Sequence, residues 1–175
     1  MSSEYCLYIG TTTQPDQVLI LLNETLGLES KISKQSAKPY DWYRCELPVT
    51  DSDPANQEEI GLSARTLPYL QSDLPDLNDQ LGINLQSDVF VEIIFDIFTR
   101  GDAFWESYRE IIRAIGAILR CLDGDSIWIG LGSYDPILIR KEGRVMIDPS
   151  LMIWDEKDRQ AFGIAYSIEH LPCKK

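Results

Sequence analysis

Histidine is almost missing from this chain: His170 is the single one in 175 residues. Any triad, dyad or multi-histidine metal site is therefore limited to one imidazole, and His170, near a proline and the chain end, reads as an ordinary polar residue. Nucleophile and nucleotide signatures are missing too. There is no GxSxG, and Gly130-Leu131-Gly132-Ser133 lacks both the third glycine and the following helix of a dinucleotide loop. Cys6, Cys45, Cys121 and Cys173 are scattered without a CxxC, so neither a zinc site nor thioredoxin-like chemistry is indicated, and they read as reduced packing residues. No apolar run is long enough to span a bilayer, and Met1-Ser2-Ser3-Glu4-Tyr5 lacks the basic and apolar regions of a signal peptide, so a cytoplasmic protein with no membrane partner is expected. Positive charge is scarce. Sixteen Lys and Arg against 28 Asp and Glu give a net charge of −12, which repels a phosphate backbone and argues against nucleic acid as a partner.

What is present is an ordinary globular composition, 44% hydrophobic and 25% charged, at a length that suits a single domain spanning 1–175. A chain of this size buries about 70% of its unfolded surface and needs no metal or disulfide staple. Tyr5 to Ile9 reads as a strand. Thr11-Thr12-Thr13 offers caps for a helix from Pro15 to Leu26, with Val18, Leu19, Leu22 and Leu26 on one face and Gly27 closing it. Ser30 to Lys38 is weakly patterned, and Tyr40 to Leu47 is a strand.

From Asp51 to Glu92 nine acidic residues face Arg65 alone, and Pro54, Pro68 and Pro75 interrupt the stretch. It is expected to hold loops and short helical turns with modest core contact, the best helix being Leu74 to Leu81, ended by Gly82. Val89 to Phe98 reads as a long strand with Val89, Val91, Ile93, Phe95 and Ile97 on one face. Glu92 and Asp96 share the other, about 13 Å apart and too far for an acid/base couple, with Arg140 expected to pair with one of them. Asp102 is placed to cap a helix from Ala103 to Leu122, about 30 Å long. Strands then follow at Ser126 to Leu131, Ile137 to Lys141 and Arg144 to Asp148, the last two joined by Glu142-Gly143; Asp155 to Phe162 is a helical turn and Tyr166 to Leu171 a final strand. The fold class is α+β: a curved antiparallel sheet with one long helix packed on its apolar face.

The second half carries a family resemblance. A strand, a long helix with an aromatic start, the turn Asp123-Gly124-Asp125-Ser126-Ile127 and the hairpin Ile137-Leu138-Ile139-Arg140-Lys141-Glu142-Gly143-Arg144-Val145 together resemble swarming-inhibition-type immunity proteins of bacterial polymorphic toxin systems. The similarity spans Leu81 to Asp148, and the long strand departs from the pattern in carrying Glu92 and Asp96 where a basic residue is expected. The resemblance implies a non-enzymatic protein without cofactor or metal that binds a cognate toxin domain and neutralises it by occlusion. A basic toxin suits the acidic charge.

On this reading the partner-binding residues are Asp51, Asp53, Glu58, Glu59, Asp73, Asp76 and Asp79, with Trp42 and Tyr69 as aromatic anchors. Two other functions compete with it. One is a metal-dependent carboxylate enzyme, which requires two or three of Asp51, Asp53, Asp123 and Asp125 to converge; the other is a general protein-interaction domain.

Overall fold

A computed structural model describes residues 3–37, 40–49, 59–97, 103–130, 135–149 and 154–172. Among the described residues nine strands form one open sheet, β1 (Ser3–Gly10), β2 (Ser33–Ala37), β3 (Tyr40–Pro48), β4 (Glu59–Pro68), β5 (Val89–Ile97), β6 (Ser126–Ile129), β7 (Pro136–Lys141), β8 (Arg144–Ile147) and β9 (Ser167–Ile168). Their spatial order is β2-β3-β4-β5-β1-β6-β7-β8-β9, and every pairing is antiparallel except β8 with β9. The helices are α1 (Pro15–Leu26), α2 (Leu74–Leu81), α3 (Ala103–Cys121) and α4 (Glu156–Phe162). This is the expected α+β class with a mostly antiparallel sheet. The elements at Ser33–Ala37 and Glu59–Pro68 are additional strands.

Alternation along the strands divides the sheet into two faces. On one face Leu7 and Ile9 of β1, Ile60, Leu62 and Ala64 of β4, Val91, Ile93 and Phe95 of β5 and Trp128 of β6 form one core with residues of α1 and α3. Tyr108 of α3 stacks on Trp128 at 5.9 Å between ring centroids and meets Tyr5 at 5.5 Å. α3 therefore shares this layer with α1. The opposite face is not bare: Tyr8, Leu67, Phe90, Ile127 and Ile139 pack there with Leu74, Leu77 and Leu81 of α2. Helices thus cover both faces of the sheet, α1 and α3 on one and α2 on the other.

Leucine burial explains why α2 forms at all. A helix of eight residues is unstable alone, but three buried leucines each contribute roughly 1.5–3 kcal/mol. Pro75 sits in its first turn, and Gly82, at φ 64°, closes it with its N–H on the Asn78 carbonyl. α1 begins after Gln14, which makes no side-chain cap bond, because Thr11 Oγ1 instead accepts from Thr13 N at 3.1 Å inside its own turn. The expected threonine cap is thus absent. Asp102, the proposed cap of α3, lies outside the described residues. α4 has the fullest cap: Asp155 accepts from Asp158 N at 2.8 Å and Asp158 returns the bond to Asp155 N at 3.1 Å.

The segment between 51 and 92 holds a central strand, against expectation. β4 lies between β3 and β5 and buries Ile60, Leu62 and Ala64, so this stretch contributes to the core rather than skirting it. Its polar residues Ser63 and Arg65 alternate with the apolar ones and occupy the other face, as a strand with two different environments requires. Arg140 also departs from expectation. β1 and β6 intervene between β7 and β5, and Arg140 points to the face opposite Glu92, so the pairing with Glu92 or Asp96 does not form. Instead its Nη1 donates to the Leu119 carbonyl at 2.7 Å, its Nε to the Gly124 carbonyl at 2.7 Å and its Nη2 to Ser126 Oγ at 3.2 Å.

Candidate partner-binding surface

α2 presents carboxylates on the side opposite its leucines. Leu74, Leu77, Asn78 and Leu81 are buried, while Asp73, Asp76, Asp79 and Gln80 are exposed. Asp73 occupies the N-cap position but makes no side-chain cap bond. Asp76 in the first turn is favoured by the helix dipole; Asp79, in the last turn, is opposed by it. Dipole stabilisation therefore accounts for part of this row and not for Asp79. Immediately before α2 the 3-10 turn Tyr69–Gln71 carries Leu70, which is 89% exposed.

The two aromatic anchors have other partners. Tyr69 is half-buried, with its ring 6.0 Å from Phe90 and its hydroxyl accepting from Asn78 Nδ2 at 3.0 Å, so it fixes the 3-10 turn to α2. Trp42 is half-buried beneath a guanidinium: Arg65 Cζ lies 4.2 Å from the ring centroid. That same guanidinium donates Nε to Glu92 Oε2 at 2.5 Å. Arg65 is directly opposite Glu92, and Glu92 directly opposite Tyr8, so the register itself builds the chain Trp42, Arg65, Glu92, Tyr8 across the sheet. Glu92 is 4% exposed and is the buried charge that Arg65 balances.

Chemically this row is quiet. Burial, followed by the Glu92 charge and its hydrogen bond with the tyrosine hydroxyl, raises the Tyr8 phenol far above its ordinary value. The neighbouring Cys6 thiol is pushed up to about 12, first by burial and then by the charges of Glu92, Glu4 and Asp96. Such a thiol stays protonated and is a poor nucleophile.

Glu59 lies elsewhere. It opens β4, whose far end leads into the 3-10 turn, so roughly 30 Å of strand separates it from α2. Its carboxyl is raised by a hydrogen bond it donates to Glu46 on β3 and by the charge of that neighbour. Asp51, Asp53 and Glu58 fall outside the described residues. The structure thus gathers Asp73, Asp76 and Asp79 and does not bring Glu59 to them.

Asp125, a candidate metal ligand, is already engaged. Its Oδ1 accepts from Glu142 N at 2.9 Å and its Oδ2 from Gln86 N at 3.1 Å, while its own carbonyl accepts from Gly10 N at 2.8 Å. Next to it Gly124, at φ 134°, lies so close to the Gly10 carbonyl that a Cβ would sit 1.9 Å from that oxygen. The turn therefore joins β1, the α2–β5 loop and the β7–β8 hairpin. Among the described residues no group of three His, Cys, Asp or Glu side chains is placed to hold a metal ion. His170 is exposed, with Nδ1 4.0 Å from Asp148 Oδ1, and Asp148 also accepts from Leu171 N at 2.7 Å.

Sequence reasoning missed the most exposed apolar residues. Leu70, Trp105 at 61% and Ile168 at 65% stand out of the surface. The signal for Trp105 was its place one residue beyond Phe104 and three before Tyr108, which turns it off the buried stripe of α3.

Comparisons with protein-family models, curated proteins and solved structures return no match. Among the described residues no helix is long and apolar enough to cross a membrane.

Proposed function

We propose that this protein is an immunity-type inhibitor that binds a cognate toxin domain and neutralises it by occlusion. The observation that carries the reading is the outer side of α2, where Asp73, Asp76 and Asp79 are exposed on a helix anchored from behind by three leucines. Repulsion within this row is relieved by a basic partner, and Leu70 beside it supplies an apolar contact of the kind that holds a complex once formed. The resemblance of Leu81 to Asp148 to immunity proteins points the same way, as does the net charge of −12. The proposed contact surface is thus α2 and the 3-10 turn before it, with Trp42 and Tyr69 serving mainly to hold the sheet and the turn in place.

Co-expression with the product of the neighbouring gene, followed by affinity capture and an assay of that product's toxicity, tests the proposal. Capture with loss of toxicity is expected, and both should weaken when Asp73, Asp76 and Asp79 are replaced by Asn. Toxicity unaffected by co-expression would refute the immunity reading.

A further inference from the structure

The outer edge of β2 is an unguarded strand. In proteins an exposed sheet edge is ordinarily protected by extreme shortness, proline, a bulge or a lysine projecting across it. The edge at β9 has the first of these, being two residues long. β2 has five residues, no proline, and an uninterrupted register from Ser33 opposite Arg44 to Ala37 opposite Tyr40. Its lysine is turned inward: Lys34 Nζ lies 2.5 Å from Asp41 Oδ2 and 5.9 Å from the Tyr43 ring centroid, both on β3. Ser33, Lys34, Gln35 and Ser36 are all exposed.

Hydrogen bonds at the β2–β3 boundary show which main-chain groups face outward. Glu46 N donates to Ser30 Oγ at 2.9 Å, and the Arg44 carbonyl accepts from Ser33 Oγ at 3.4 Å, so even-numbered residues of β3 turn their main chain toward β2. Their opposite residues Ser33 and Gln35 then turn inward, leaving the N–H and C=O of Lys34 and of Ser36 directed away from the sheet. Among the described residues no strand pairs with them.

We infer that this edge receives an extended segment of a protein partner as an added antiparallel strand, and that the segment carries carboxylates. Main-chain bonds to Lys34 and Ser36 would supply the contact common to strand addition. The charge preference comes from the local sequence: Ser30 to Pro39 holds three lysines and no acidic residue, in a chain whose net charge is −12. Lys31 is exposed and has no ion-pair partner among the described residues. A second copy of the chain is disfavoured as occupant, because pairing β2 with its own copy sets one lysine-bearing segment against another. The inference is independent of the role proposed for α2.

The test uses isotope-labelled protein and a short capped peptide alternating valine with glutamate, with two controls: the same peptide with lysine for glutamate, and one with alternate amides methylated. At millimolar glutamate peptide, amide exchange at Lys34 and Ser36 is expected to slow by about tenfold or more. The methylated peptide should have no effect and the lysine peptide a weaker one. Ser36→Pro removes one outward donor without touching the ladder to β3, so it should keep the thermal midpoint and abolish the protection. Unchanged exchange at Lys34 and Ser36 in a folded protein overturns the inference, as does protection that survives Ser36→Pro. Equal binding of the lysine peptide overturns the carboxylate preference. Sedimentation showing a dimer that Ser36→Pro dissociates would assign the edge to a second copy instead.

Discussion

Arg140 reaches through the sheet face to Leu119: its guanidinium donates to that main-chain carbonyl at 2.7 Å, near the C-terminal end of α3. The same group holds the Gly124 carbonyl and the Ser126 hydroxyl, so one side chain supports both the end of the helix and the turn that leads from it. Arg140→Ala leaves buried acceptors without a donor and should cost about 3 kcal/mol in urea denaturation. Arg140→Lys should recover only part of this, since an ammonium cannot reproduce the fork. A loss below about 1 kcal/mol for the alanine variant would show that the carbonyls find other partners.

Alkaline pH should weaken the fold through Cys6. Its thiol rises from an ordinary 9.0 to about 12 in the folded chain, so above pH 9 the unfolded state binds fewer protons than the native one. Stability is full below pH 9 and declines as pH climbs toward 12. Tyr8, also raised, adds to the slope in the same direction. Unfolding free energies from urea titrations at about pH 8 and about pH 10.5 should differ by roughly 1–2 kcal/mol more in the native sequence than in Cys6→Ser. Equal slopes would remove Cys6 as the source.

For α2 the expected effect is kinetic. Charges on the rim of an interface steer encounter more than they hold a complex, so replacing Asp73, Asp76 and Asp79 by Asn should slow association more than it speeds dissociation. Added salt should mimic the change by screening beyond about 8 Å at physiological ionic strength. Leu70→Ala should act on dissociation instead. The measurement is surface-based kinetics against the cognate toxin domain at two salt concentrations, and an association rate indifferent to both salt and substitution would dismiss the electrostatic argument.

Gly116 in α3 is where α4 comes closest. A Cβ there would lie 2.0 Å from the Phe162 carbonyl oxygen, an acceptor that Arg120 Nη1 already holds at 2.9 Å. Gly116→Ala should therefore push α4 off α3 at a cost of about 2–3 kcal/mol, despite alanine's better helix propensity of about 1 kcal/mol. Trp154, whose ring meets Phe162 edge-on at 4.9 Å between centroids, should report the displacement in its fluorescence. An unchanged emission with an unchanged midpoint would contradict the close packing.

Legibility in the sequence followed environment. α1, α2 and β5 are read to within a residue or two because each has a buried stripe or row of regular period next to a helix-ending glycine or a turn. The β7–β8 hairpin is equally plain, since Glu142 and Gly143 both take positive φ, 50° and 79°, and form the turn that antiparallel strands of this twist prefer. β2 escaped because an edge strand exposed on both faces has no apolar alternation to show: Ser-Lys-Gln-Ser-Ala offers none. β4 was hidden differently. Its alternation of Ile60, Leu62 and Ala64 is there, but the prolines and carboxylates around it dominated the reading of the wider segment. Arg65 and Glu92 were both visible as residues, and only the register between β4 and β5 makes them a pair.

β1 occupies an inner position of the sheet, with partners at 89–97 on one side and 126–129 on the other. Of the nine described strands β1 is made first and is among the last to be completed: its apolar residues Leu7 and Ile9 wait for β5, and then for everything through α3, before both sides are closed. Meanwhile β2, β3 and β4 are consecutive neighbours and can assemble as a meander while β1 is still unpaired. Synthesis from the N-terminus thus runs against the order of closure, and truncated chains ending before residue 89 should retain an unsatisfied β1 that recruits chaperones.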